Sequence, residues 1–255
     1  MTTDYKCLRL EYSDKGWATL AFNRPDQLNT LSIELRREFD AAITMLDADD
    51  TVHVLILTGT GKAFTAGLDL NDWESTSEPA AGAYCWDAVA SLKKFRGPII
   101  AAINGLTITG GIEIALACDV IIASDQARFA DTHVRVGLLP GWGGSVRMIE
   151  RVGLHRAKEL ALTGRFFSAQ EAAQWGFVNE LVAHENLLPR ATALAEQMLQ
   201  AQPTHLLLYK QLLDEEARLS YGDALLHERA CSEATNSHVG QEVLLSRLAK
   251  LVHRD

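Results

Sequence analysis

The stretch IIAAINGLTITGGIEIALACDVIIAS, residues 99–124, decides how this chain folds. It is apolar for most of its length and long enough to span a bilayer, yet it carries Glu113 and Asp119. Asn104-Gly105 and Gly110-Gly111 interrupt it. A carboxylate at the centre of a membrane helix costs about 2.5–3.5 kcal/mol, so a membrane span is rejected. The run reads instead as a buried strand (Pro98 to Asn104), a glycine turn, a buried helix (IEIALA) and another buried strand (Asp119 to Ser124). Two glycines at the turn permit close approach of a ligand to the backbone. The first N–H groups of the helix that follows have no internal partner and sit at the positive end of its dipole. Such a turn can stabilise an oxyanion or a phosphate. Glu113 falls in the first helical turn. It is either a solvated residue that favours the dipole or a buried group with a task, and its apolar surroundings favour burial.

Working outward, Trp17 to Asn23 (WATLAFN) reads as a strand ended by Arg24-Pro25-Asp26. Ser32 caps a helix whose apolar face runs Leu35, Phe39, Ile43 and Leu46. Val52 to Thr58 (VHVLILT) is a buried strand stopped by Gly59 and Gly61. Strands alternating with helices predict an α/β core with both faces covered. Beyond Gly141 the pattern turns helical. Ser168-Ala-Gln-Glu171 is a capping box, Gly176 closes that short helix, and a strand from Phe177 to Val182 follows. From about Leu187 onward every apolar period is helical, through LLLYKQLLDEEARLS and EVLLSRLAKLV. That much amphipathic helix cannot bury both faces against one layer. Residues 1–195 therefore read as the core and 196–255 as an appended helical region at a subunit interface.

Of the 255 residues, 47% are apolar and 22% charged, as in soluble globular chains. The net charge of −9 argues against nucleic-acid binding. Cys7, Cys85, Cys118 and Cys231 form no close pair, which points to a reducing, cytoplasmic compartment. The opening MTTDYKCLRLEYSDKG is polar and lacks the apolar core of a signal peptide. No histidine pair has the spacing of zinc ligands, and no G-x-S-x-G elbow supports a hydrolase triad.

Two further glycine-rich segments can carry chemistry. Gly59-Thr-Gly-Lys-Ala-Phe-Thr-Ala-Gly-Leu-Asp69 follows a strand and is neither a phosphate-binding loop nor a dinucleotide fingerprint. It still offers backbone N–H groups at Ala66 and Gly67. Asp131-Thr-His133, with Gly137 to Gly144, precedes a helix and sets Trp142 in a glycine-rich turn. By itself His133 reads more readily as a hydrogen-bonded structural histidine than as a catalytic one.

Five pieces in order, FNRPDQLNTL, GKAFTAGLDL, AAINGLTITGGIEIALACDVIIAS, VGLLPGWGG and LTGRFFSAQEAAQWGFVNELV, resemble the crotonase superfamily of enoyl-CoA hydratases and isomerases. The resemblance covers nearly the whole chain. It implies a spiral core of ββα units and a C-terminal helical region used in homo-trimers or hexamers. It also implies an acyl-CoA thioester as substrate, with coenzyme A entering as part of the substrate and no separate cofactor. The thioester oxygen would lie between two backbone N–H groups, which the alignment puts at Ala66 and Gly110. Gly67, Leu68 and Asp69 match the loop that meets the CoA portion. Family hydratases use two glutamates on water and the α-carbon; the first matches Glu113, while the second position holds His133. An imidazole can accept a hydrogen bond from water and shuttle a proton. Asp131 is a lesser substitute. The implied activity is hydration of a 2-enoyl-CoA, with double-bond isomerisation or acyl-CoA binding without turnover as alternatives.

Overall fold

Three times in succession the chain lays down a strand of five or six residues, turns within a few residues, adds a three-residue strand, and then enters a helix. The computed structural model describes residues 5–74, 87–237, 239–242 and 244–246. Cys85 and most of the helical run 242–252 lie outside the described residues. The strands are β1 (Leu8–Tyr12), β2 (Trp17–Phe22), β3 (Val54–Gly59), β4 (Ala63–Thr65) and β5 (Ile99–Ile103). They continue with β6 (Leu106–Ile108), β7 (Val120–Ser124), β8 (Arg128–Ala130), β9 (Phe166–Ser168) and β10 (Glu180–Val182).

The longer strand of each unit joins a six-stranded sheet of order β1-β2-β3-β5-β7-β10, and the short strand joins a four-stranded sheet of order β4-β6-β8-β9. Among the described residues, only β1–β2 and β8–β9 pair antiparallel. The units β3-β4, β5-β6 and β7-β8 thus repeat one step, and the expected spiral of ββα units is what the chain forms.

Parallel strands covered on both faces read as continuous apolar runs, and β3 and β5 are buried along nearly all of their length. Alternation sorts their side chains between two layers. Leu55, Leu57, Ala101, Ile103 and Ile121 join the main core with the helix Ile33–Ala48 and the helix Gly110–Ala117. Val54, Ile56, Ile100, Ala102 and Ile122 face the other way, against Leu187, Ala191 and Ala195. Those three belong to the helix Leu187–Met198, which covers the second face of the large sheet.

That packing bears on the division of the chain. The compact units are Met1–Leu206 and Leu207–Asp255. The boundary expected after residue 195 falls inside the helix Leu187–Met198, whose apolar stripe is needed to close the first unit. Two smaller departures concern strands. Strand β1 carries too little apolar alternation to announce itself. Phe177 and Val178 are buried in the core ahead of β10, with Phe177 against the rings of Phe129 and Phe167, rather than forming part of that strand. The caps stand as expected: Ser32 accepts from the Leu35 N–H, and Ser168 and Glu171 form a reciprocal capping box. Among the described residues, no helix is long and apolar enough to cross a membrane.

Candidate active site

The helix Gly110–Ala117 starts where β6 ends, and its first turn is fixed by the neighbouring strand. The Thr109 N–H donates to the Ala130 carbonyl (2.9 Å), and the Thr109 hydroxyl pairs with that of Thr132 at 2.6 Å. Thr109 adopts φ 52°, ψ −103°, a rare conformation for a β-branched residue. Its contacts to β8 and the following loop hold it there. This places the mouth of the helix beside residues 131–133.

Glu113 is 3% exposed. Its Oε1 accepts from the Trp142 N–H (2.8 Å) and the Gly144 N–H (3.0 Å), at the start of the helix Gly144–Val152. A Cβ on Gly144 would stand 2.8 Å from Glu113 Cγ, so the glycine allows this close approach. With Oε1 held twice, Oε2 is the free oxygen, and it lies 3.7 Å from His133 Nε2. Burial pushes the Glu113 carboxyl above its usual range; the N–H groups of Gly144 and Trp142, and then His133, hold that rise back. His133 is fixed at its other nitrogen, where Nδ1 lies 2.7 Å from Asp131 Oδ1. The same oxygen accepts the His133 backbone N–H at 3.2 Å.

Both side chains line a cavity of about 400 Å³ whose walls include Ala66, Leu68, Leu70, Leu138 and Trp142. The expected site residues Ala66, Leu68, Gly110, Glu113 and His133 therefore converge on one space. One assignment needs correction. The Ala66 N–H donates to the Leu28 carbonyl at 3.0 Å, so it is not directed at a ligand. Among the described residues, the N–H groups of Leu68 and Gly110, two residues of the cavity wall, meet no acceptor. Gly67, at φ 87°, makes the difference: its own N–H donates to Thr65 Oγ1 and its carbonyl accepts from Leu31. The next amide, at Leu68, is left over. A Cβ on Gly67 would lie 3.3 Å from the Gly110 nitrogen, so the two segments touch at this point.

Asp69 also differs from expectation. Its Oδ2 accepts from Arg24 (2.9 Å) and from the Thr30 hydroxyl (3.0 Å), and Oδ1 accepts from Asn71. The carboxylate is satisfied within the protein, and the Arg24 guanidinium and Thr30 hydroxyl hold it below the usual range against the opposing effect of burial. It secures the loop rather than reaching for a ligand. Asn29 is a residue that sequence reasoning missed. Fully buried at φ 55°, it donates to the carbonyls of Thr60 and Ala63 and accepts from the Arg24 N–H. Its place in FNRPDQLNTL was the available signal. Among the described residues, no group of three or more His, Cys, Asp or Glu side chains could hold a metal ion.

Residues 13–244 match the family model for enoyl-CoA hydratase/isomerase. The chain belongs to the enoyl-CoA hydratase/isomerase family. It is 34% identical to a probable peroxisomal enoyl-CoA hydratase 1 of Arabidopsis thaliana, over 94% of this chain and 91% of the relative. A short-chain-enoyl-CoA hydratase of Clostridium acetobutylicum is 35% identical, over 83% and 82%. The crystal structure of an enoyl-CoA hydratase from Bacillus anthracis superposes with a TM-score of 0.90 at 30% identity, covering 96% of each chain. Within this enoyl-CoA hydratase/isomerase fold, Glu113 and His133 line the same cavity as Leu68 and Gly110.

Proposed function

We propose that this protein adds water across the double bond of 2-enoyl-CoA thioesters. The observation that carries the reading is Glu113: a buried carboxylate with one oxygen held by two backbone N–H groups and the other facing His133 in the cavity. The thioester oxygen accepts from the N–H groups of Leu68 and Gly110. Donors already in place where enolate charge develops lower the barrier without reorganisation. Glu113 Oε2 takes a proton from water as the water oxygen bonds to the β-carbon. Electrons move onto the thioester oxygen, and His133 delivers a proton to the α-carbon. Turnover of short and medium 2-enoyl-CoAs, followed by loss of the conjugated chromophore, tests this directly. A hydroxyacyl-CoA product supports it. Conversion only to a shifted double bond would establish isomerisation, and tight binding without turnover would establish a binding protein; either outcome overturns the hydratase reading.

The assembly belongs to the same proposal. The helices Pro203–Glu216 and Tyr221–Asn236 bury no residue within the chain, and Tyr209, Leu213, Leu225 and Leu226 are exposed on them. Apolar surface of this kind supports a homo-trimer or hexamer. The unbridged Cys7 and Cys231 agree with a reducing, cytoplasmic setting; fractionation with an organelle would refute that placement.

A further inference from the structure

Two carboxylates flank one imidazole in this site, and only one of them belongs to the pair that the hydration reading uses. Asp131 Oδ1 lies 2.7 Å from His133 Nδ1, within hydrogen-bond distance, whereas Glu113 Oε2 lies 3.7 Å from Nε2. A carboxylate can only accept, so the short contact requires the proton to be on Nδ1. The second bond from the His133 backbone N–H to the same oxygen fixes Asp131 in turn. The other nearby charges are committed elsewhere: Arg135 donates to the Thr163 carbonyl and Arg147 to the Trp142 carbonyl. Among the described residues, the Asp131 side chain makes no hydrogen bond or ion pair except with His133.

Resting on the hydratase reading, we propose that Asp131 is a positioning residue that commits His133 Nδ1–H to itself, so that Nε2 is the atom through which protons pass to and from the α-carbon. The proton balance closes on these three side chains. In hydration, an O–H bond of water breaks, its proton goes to Glu113 Oε2, and the oxygen bonds to the β-carbon. The imidazole enters this step protonated at both nitrogens. Its Nε2–H bond breaks and the proton bonds to the α-carbon, while the electron pair of the N–H bond stays on Nε2. Glu113 then holds the extra proton and Nε2 is bare. Transfer from Oε2 to Nε2 across the 3.7 Å gap restores the starting state with no external acid or base. Throughout, Nδ1–H remains on Asp131, which keeps the ring facing Glu113. A histidine without this anchor can rotate or adopt the other tautomer, and either change takes Nε2 out of the proton path.

The test is ¹⁵N-histidine NMR of the full-length protein without substrate, at a pH where the imidazole is neutral, with His133 assigned by its loss in His133→Gln. The wild type is expected to show the Nδ1–H tautomer, and Asp131→Ala to shift it toward Nε2–H. In steady-state assays Asp131→Ala should lower kcat by about tenfold or more with KM for the enoyl-CoA changed little, and Asp131→Glu should recover part of the loss. Asp131→Asn, which keeps the shape, serves if the alanine variant does not fold. A wild-type Nε2–H tautomer, or an alanine variant with wild-type tautomer and kcat, overturns the proposal. If the wild type hydrates no enoyl-CoA, the hydratase reading fails, and the tautomer measurement still decides whether Asp131 sets the imidazole.

Discussion

Glu113 combines two opposed effects. Burial raises its pKa, while the N–H groups of Gly144 and Trp142 stabilise the ionised form without fully offsetting that rise. A carboxyl whose folded pKa exceeds its unfolded value contributes stability below the unfolded pKa and loses it as pH rises through the folded one. As pH rises above the ordinary glutamate range, Glu113 therefore costs stability that Glu113→Gln recovers, since the amide oxygen still accepts both N–H groups. Urea midpoints should favour the variant at pH 7 and converge with wild type as pH falls toward the ordinary glutamate range. A difference independent of pH would contradict this account. The same variant should lose about 10²–10⁴-fold in kcat while keeping acyl-CoA affinity, because the donors at Leu68 and Gly110 are untouched. Gly67→Ala acts on those donors instead. At φ 87°, with its Cβ 3.0 Å from the Ile108 carbonyl, alanine is strained. The expected outcome is a loss of roughly 1 kcal/mol in stability together with reduced kcat; calorimetry and turnover read the two separately.

At the scale of elements, the longer strands and the helix caps were legible because their signals are local. Leu55, Ile56 and Leu57 form an apolar run, and Ser168 and Glu171 meet within one helical turn. The three-residue strands β4, β6 and β8 were not legible, since three residues are too few to show a period of two. Their pairing comes from the sheet stacking one unit on the next, and it is this pairing that holds Thr109 beside Thr132. The capping box, whose residues do not line the cavity, gives an element-level prediction. Ser168→Ala should destabilise the protein by about 1 kcal/mol and leave kcat at the wild-type value. A large change in kcat would mean that the helix Ala169–Gln174 communicates with the cavity.

For the whole molecule, the helices Pro203–Glu216 and Tyr221–Asn236 carry exposed apolar side chains. The helix Tyr221–Asn236 has Leu226 at 69% exposure, a position that costs little in a monomer and contributes when covered by another copy. Light scattering at micromolar concentration should give a trimer or hexamer, and Leu226→Glu should lower the mass by weakening the contact. A monomeric wild type would overturn the assembly. The expected boundary after residue 195 came from helical periodicity alone. Periodicity marks where a helix runs but not which sheet face it closes, and Ala191 and Ala195 are buried against the large sheet.

By itself the sequence determined the family, the alternation of strand and helix, and the apolar setting of Glu113. Each of these is written in residue identity or in a short local pattern. Only the tertiary structure decided which amide beside Gly67 is left without a partner. It also turned Asp69 toward Arg24 and Thr30, and set Asp131 against His133 Nδ1. The physical reason is common to these three results. A polar group's role depends on which partner reaches it first, and the partners (the Leu28 carbonyl, Arg24, the ring of His133) are placed by loops whose conformation the packed sheets impose.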